Sequence, residues 1–161
     1  MRKVIVNSTP LIVLGNIGKL ELLKELYEEI IIPRAVFEEV TIKNDNANLK
    51  LLQNKEWIKV LEVKDKTNRK MYQSKLHDGE VEVMMLANEI SADLLIIDDN
   101  AAKKTAKFLG YTVTGTLGVL LKAKLEETVD EIKPILSEML QQGFYISPQV
   151  LEMVLKTAKE I

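Results

Sequence analysis

Acidic side chains recur in this chain where an apolar run gives way to a polar one. Asp98 and Asp99 directly follow Leu94–Ile97, and Glu80 comes straight after the turn Leu76-His77-Asp78-Gly79. Glu38 and Glu39 lie in the amphipathic run after Ile30–Ile32, and Asn7 closes the first apolar run, Val4–Val6. Carboxylate and amide oxygens are hard donors, and Mg²⁺ and Mn²⁺ take such donors while keeping several waters. Two such ions can activate a water and stabilise the leaving oxygen in phosphodiester hydrolysis. That chemistry requires residues far apart in the chain to meet at one place.

The elements that carry these residues can do that. Leu94 to Ile97 reads as a strand buried on both faces, the pattern of a parallel sheet. In open α/β sheets the ligand crevice lies outside the carboxyl ends of the strands, which is where Asp98 and Asp99 fall. Further strands are expected at Lys3–Val6, at Ile30–Ile32 closed by Pro33, at Trp57–Val63 as a loosely alternating edge, and at Tyr111–Thr114. Helices are expected between them. Thr9 as N-cap and Pro10 as first helical residue open Leu11–Ile17, which ends at Gly18. Lys19–Tyr27, Arg34–Val40, a nearly all-apolar Gly79–Glu89, and Ala101–Leu109 follow. Gly115-Thr116-Leu117-Gly118 leads into a helix reaching about Leu125, and helices near 129–142 and 148–159 close the chain, the last opened by Ser147 and Pro148. Within the polar stretch Thr41–Glu56, Leu49, Leu51 and Leu52 suggest a short helix, and Lys64–Lys75 reads as a loop or exposed helix. Strands alternating with helices predict a parallel sheet wrapped by helices.

Length and composition set further bounds. A chain of 161 residues with 47% hydrophobic content fits one domain, 1–161, with a real core. The absence of cysteine excludes disulfides and thiolate metal sites and points to a reducing compartment. No apolar run approaches membrane-spanning length and residues 1–6 are too short and charged for a signal peptide, so a cytoplasmic protein without membrane contact is expected. A net charge of −2 argues against a passive nucleic-acid coat but not against a nuclease, whose acids offset basic residues elsewhere. The dinucleotide Gly-x-Gly-x-x-Gly and the P-loop motif are both missing. A phosphoaspartate receiver would want its acid pair after the first strand, where this chain has Asn7-Ser8. His77 is the single histidine, too little for a histidine-based metal site.

The ordered set of short motifs resembles a known family. Val6-Asn7-Ser8-Thr9-Pro10-Leu11-Ile12, Ile32-Pro33-Arg34-Ala35-Val36-Phe37-Glu38-Glu39-Val40, Gly79-Glu80, Leu95-Ile96-Ile97-Asp98-Asp99 and Thr114-Gly115-Thr116-Leu117-Gly118-Val119-Leu120-Leu121 look like PIN-domain proteins. They are most similar to the prokaryotic PIN-like subgroup that holds uncharacterised members and toxin components. The resemblance implies a Rossmann-like three-layer α/β fold, with a five-stranded parallel sheet in the order 3-2-1-4-5 flanked by helices. It also implies an endoribonuclease dependent on Mg²⁺ or Mn²⁺ that leaves a 5′-phosphate. Carried over motif by motif, Glu39, Glu80 and Asp99 are the catalytic acids. The metal would be held by Asn7, Glu39, Glu80, Asp98 and Asp99, with Asp99 the direct ligand and Asp98 its support. Ser8, Thr9 and Thr116 would stand beside it as polar anchors. Asn7 departs from the family, most of whose nucleases carry Asp there, and an amide lacks the full negative charge. By the same resemblance the expected partners are an RNA substrate, an antitoxin protein and a second copy in a homodimer.

Simpler roles compete with each of these. Asp99 can cap the helix after it, Glu39 can belong to a solvated face with Glu38, Glu80 can complement a helix dipole, and Asn7 can be a turn residue. Lys103, Lys104 and Lys107 suit either a solvated face or phosphate contacts with RNA. The apolar face Val150, Leu151, Val154, Leu155 and Ala158 can pack on its own domain or on a second subunit. Two functions are therefore expected in competition: a metal-dependent ribonuclease, or a catalytically impaired PIN-like module that binds RNA or protein, motivated by Asn7.

Overall fold

Five short parallel strands run through the molecule: β1 (Val4–Val6), β2 (Ile30–Pro33), β3 (Ile58–Leu61), β4 (Leu94–Ile96) and β5 (Val113–Thr114). The computed structural model describes residues 2–42, 50, 52–67, 69–72 and 76–161. The strands stand in the order β3-β2-β1-β4-β5, with Ile5 opposite Ile31 and Leu95, and Leu95 opposite Val113. β1 and β4 are buried along their whole length, as strands covered by helices on both faces must be. The expected α/β fold and strand order are both present. β3 starts one residue later than expected, at Ile58, and its partly exposed pattern suits an edge.

Around the sheet lie α1 (Ser8–Asn16), α2 (Glu21–Tyr27), α3 (Arg34–Ile42), the short α4 (Arg69–Tyr72), α5 (Asp78–Ile90), α6 (Asn100–Phe108), α7 (Thr116–Leu125), α8 (Lys133–Gln141) and α9 (Pro148–Thr157). α5 is the most buried helix, with every residue from Gly79 to Ala87 inside. Val81, Val83, Met84 and Leu86 join Ile5, Ile32, Leu95 and Leu11 in one continuous apolar cluster. Gly118 lets α7 lie close against β5, since a Cβ there would collide with the Thr114 hydroxyl.

Several helix ends differ from expectation, for local reasons. α1 begins at Ser8 with Asn7 as N-cap, two residues before the expected cap at Thr9. Pro10 then falls in the first turn, where the missing N–H has no intrahelical partner to lose. α8 starts at Lys133 rather than near 129, because the carboxylate of Glu160 reaches across from the chain's end. It accepts the N–H groups of Ile132 and Lys133, each at 2.9 Å, and caps the helix there. α9 opens as expected, Ser147 Oγ accepting the Val150 N–H at 3.2 Å. Its apolar face is covered by its own chain: Val154, Leu155 and Ala158 are buried, and Val150 and Leu151 pack on the core. Leu52 is buried at the start of a 3₁₀ turn, Leu52–Asn54, while Leu49 and Leu51 of the suggested short helix lie outside the described residues. Within Lys64–Lys75, α4 supplies the exposed helix, and residues 68 and 73–75 lie outside the described residues. Among the described residues no helix is long and apolar enough to cross a membrane.

Candidate active site at the carboxyl edge of the sheet

Asn7 leaves β1 with its backbone still held by the sheet, its N–H donating to the Ile96 carbonyl at 3.0 Å. That bond extends the β1–β4 ladder one residue beyond the strand and fixes the side chain at the start of α1. Asn7 is only 3% exposed and Ser8 4%, and neither Asn7 Oδ1 nor Ser8 Oγ has a hydrogen-bond partner. Asn7 makes no side-chain cap bond either, although it occupies the cap position. A buried polar atom left unpaired costs about 1–3 kcal/mol, so two neighbouring ones mark a place built for something other than stability. Thr9, by contrast, is exposed on the first turn of α1.

Glu80 reaches the same edge from α5. Its Oε1 accepts the His77 N–H at 3.3 Å, the reach-back of a capping box, and its Oε2 lies 3.5 Å from His77 Nε2. Burial, the largest influence, pushes the Glu80 carboxyl above the ordinary glutamate range. His77 opposes that through its charge and its N–H, and the negative charges of Asp99 and Glu39 push upward again. Residues from α3, α5 and the end of β4 thus share one electrostatic neighbourhood. Glu39 and Glu38 line a cleft of about 310 Å³ with His77, Asp78 and Gly79. The two glutamates are not equivalent: Glu38 pairs with Arg34 at 3.3 Å on a solvated face. Among the described residues Glu39 has no hydrogen-bond or ion-pair partner.

The adjacent aspartates divide their work. Asp98 turns toward α7, where its two oxygens accept the Thr116 N–H at 2.8 Å and the Thr116 hydroxyl at 2.6 Å. It pins the start of α7 to the end of β4, and Thr116 is fully buried beneath it. Asp99 is the N-cap of α6, its Oδ2 accepting the Ala102 N–H at 2.9 Å. Its other oxygen accepts no hydrogen bond among the described residues. The capping role and the electrostatic tie to Glu80 therefore coexist in one side chain. Of the three lysines on α6, Lys103 is half-buried and lies against Asp98 and Gly115 in a second cleft, while Lys104 and Lys107 are exposed.

One buried acid escaped the sequence. Glu82 is 6% exposed on α5. Its Oε1 accepts the Ala35 N–H at 3.0 Å, and its Oε2 lies 3.5 Å from Arg69 Nη1. Arg69 in turn holds Asp78 at 2.9 Å. Glu82 thereby fastens the first turn of α3, the helix that carries Glu39, to the helix that carries Glu80. The available signal was an acid inside a helix otherwise buried all round, which requires a partner. Replacing Glu82 with alanine is expected to destabilise the protein by about 2 kcal/mol, the cost of stranding a buried donor and a charged group. Urea denaturation measures this, and a loss within error of zero would remove Glu82 as the fastening.

Apart from the single imidazole of His77, the donors at this edge are oxygens, the set that suits Mg²⁺ or Mn²⁺. Among the described residues, however, no three His, Asp or Glu side chains stand close enough together to hold a metal ion by themselves. The amide of Asn7 and the hydroxyl of Ser8 lie outside that count. Their orphaned oxygens are the observation that fits a cation here.

A family model described as a PIN domain matches residues 3–160. The chain belongs to the PIN-domain family. No curated protein matches it. The PIN fold is of nuclease type, and the family match spans all the residues at the sheet edge described above.

Proposed function

We propose that this PIN domain is a divalent-cation-dependent endoribonuclease. The observation that carries the reading is Glu80 on α5, whose carboxyl is pushed upward first by burial and then, to a smaller extent, by the negative charges of Asp99 and Glu39 on two other elements. A buried acid whose charged neighbours on other elements are also acids is a functional-site candidate. No three acids among the described residues close around one ion. Glu39, Glu80 and Asp99 would therefore hold Mg²⁺ or Mn²⁺ together with the Asn7 amide, the Ser8 hydroxyl and waters that the ion retains. A bound ion supplies an activated water and charge stabilisation for the phosphodiester. The protein's own part is positional. The β1–β4 ladder fixes Asn7, the Asp98–Thr116 clamp holds the turn after β5, the α6 cap orients Asp99, and Glu82 ties Glu39's helix to Glu80's.

The test is cleavage of single-stranded and structured RNA with Mn²⁺, with Asp99→Asn as control. Asparagine is as good an N-cap as aspartate, so this change keeps α6 and removes only the charge. Wild-type cleavage lost in Asp99→Asn is the expected result, and equal inertness of the two over a broad RNA panel would refute the enzyme. A toxin role with an antitoxin partner, a cytoplasmic setting and a homodimer belong to the same proposal. Co-purification with a protein encoded beside it, and light scattering for the dimer, test those parts.

The second reading, a PIN module that binds RNA or protein without cleaving, rests on Asn7, an amide where a charged ligand serves better. Calorimetry with Mn²⁺ separates the two readings. Tight binding abolished in Glu80→Ala would count against a metal-free module.

A further inference from the structure

The one histidine of the chain stands beside the acid on which the site depends. His77 is the N-cap of α5, and Glu80 is the third residue of that helix. The two form a reciprocal capping box. Glu80 Oε1 accepts the His77 N–H at 3.3 Å, and Glu80 Oε2 lies 3.5 Å from the ring's Nε2. Among the described residues no other donor meets either oxygen. The other charges that act on Glu80 are those of Asp99 and Glu39, both negative. His77 therefore supplies the attractive contacts of this carboxylate, and the neighbouring acids supply repulsion.

The setting of the ring fits this task. It lines the same cleft as Glu39. Its Nδ1 side lies over the first turn of α5, where a Cβ on Gly79 would stand 3.5 Å away. The Nε2 side is the one that faces the carboxylate. In a neutral imidazole the nitrogen that takes an N–H leaves the proton on the other, so the capping box puts the donor at Nε2. The ring is 55% exposed and stands outside the apolar cluster, so packing does not require it. A carboxylate has about four acceptor sites, and the two contacts to His77 leave the others open to a cation.

We propose that His77 is a positioning residue: its main-chain N–H and its ring together hold the Glu80 carboxylate where a divalent cation meets it, and so set the affinity of the site for that ion. The role rests on the cation-dependent reading of this edge, and adds to it the residue that aims the buried ligand. Groups that orient a metal's ligands in this way are worth about 10–100-fold in affinity.

The test is calorimetric titration with Mn²⁺ of wild type, His77→Asn and His77→Gln, with melting temperatures taken in EDTA. Asparagine is among the best N-caps, but its side chain ends near the place of Nδ1 and cannot reach Oε2. His77→Asn is therefore expected to melt with wild type and to bind Mn²⁺ about tenfold more weakly. Glutamine is outside the preferred caps, yet its amide reaches the place of Nε2. His77→Gln should melt lower and still recover most of the Mn²⁺ affinity, an order that a residue serving only as a cap does not produce. In metal-free wild type the single histidine gives one set of ring nitrogen NMR signals, and these should report Nε2–H at pH 8, above the ordinary imidazole range. Mn²⁺ affinity that is unchanged or improved in His77→Asn overturns the positioning role. So does His77→Gln binding no better than His77→Asn, or a neutral ring protonated at Nδ1. Wild type that binds no Mn²⁺ overturns the role together with the metal site. Binding lost in Glu80→Ala but kept in His77→Asn leaves the site and removes only His77. If His77→Asn loses affinity while wild type cleaves no RNA, the nuclease is wrong and the positioning role stands.

Discussion

Replacing Glu80 with glutamine is expected to abolish metal-dependent RNA cleavage and, in the same protein without metal, to raise the melting temperature. The two effects share one cause. Glu80 is 4% exposed and its carboxyl is pushed above the ordinary value of 4.5, first by burial and then by Asp99 and Glu39, against the pull of His77. Because the folded chain holds this proton more tightly than the unfolded chain, the carboxylate costs stability once the pH exceeds the ordinary value. The penalty grows as pH rises from 4.5 through the folded pKa, and is then fully present. Glutamine keeps the shape and the Oε1 that accepts the His77 N–H, and carries no charge to desolvate. The gain in melting temperature should therefore be present at neutral pH and vanish below about 4.5.

Mn²⁺ should invert the order. A cation at this edge makes the ionised Glu80 favourable, and a ligand present at about 100 times its Kd stabilises the protein that binds it by about 2.7 kcal/mol. Wild type is expected to gain melting temperature with Mn²⁺ while Glu80→Gln does not. Activity should fall by more than about 100-fold, since even partners outside the direct ligands cost about 10–100-fold. Thermal melts at several pH values, with and without Mn²⁺, alongside an RNA cleavage assay, decide the matter. A Glu80→Gln variant that melts lower than wild type in EDTA at pH 7, or cleaves as well, would show that Glu80 is a capping residue and nothing more.

The features legible in the sequence were those whose cause is local. Leu94–Ile97 announces a buried parallel strand by itself, and the acids that end such runs fall at the carboxyl edge of the sheet in any open α/β fold. Pro148 after Ser147 is enough to start α9. What stayed hidden depends on partners distant in sequence. Asp98 and Asp99 are indistinguishable as letters, and only the Thr116 N–H and hydroxyl, eighteen residues on, commit Asp98 to the α7 turn. Glu82 lies two residues from Glu80, a spacing that puts them on different sides of a helix, and its partner Ala35 is forty-seven residues away. The start of α1 was misplaced because Asn7, Ser8 and Thr9 are all competent caps, so composition cannot choose between them. The sheet chooses: the bond from Asn7 N–H to the Ile96 carbonyl holds the chain extended through Asn7 and releases it at Ser8.

That same bond gives the second large prediction its force. Asn7→Asp is expected to destabilise the metal-free protein and to strengthen both Mn²⁺ binding and RNA cleavage. Asn7 is held by the sheet and buried, and its Oδ1 has no partner, so the side chain cannot swing out to find water. The amide already bears a cost of about 1–3 kcal/mol for that orphaned oxygen. A carboxylate fixed there without a cation would be worse, as an uncompensated buried charge costs about 3–5 kcal/mol, and the edge is already crowded with negative charge around Glu80. With a divalent cation the balance reverses. Two unit charges 4 Å apart attract by about 4 kcal/mol at an effective dielectric of 20, and even after desolvation a tenfold gain in affinity needs only about 1.4 kcal/mol of it. The variant should therefore melt below wild type in EDTA, show the larger rise on adding Mn²⁺, and turn over RNA faster at subsaturating metal. An Asn7→Asp variant that loses stability without gaining Mn²⁺ affinity would place Asn7 outside any coordination shell. The amide would then be a packed turn residue, and the non-catalytic PIN module would become the better account of the chain.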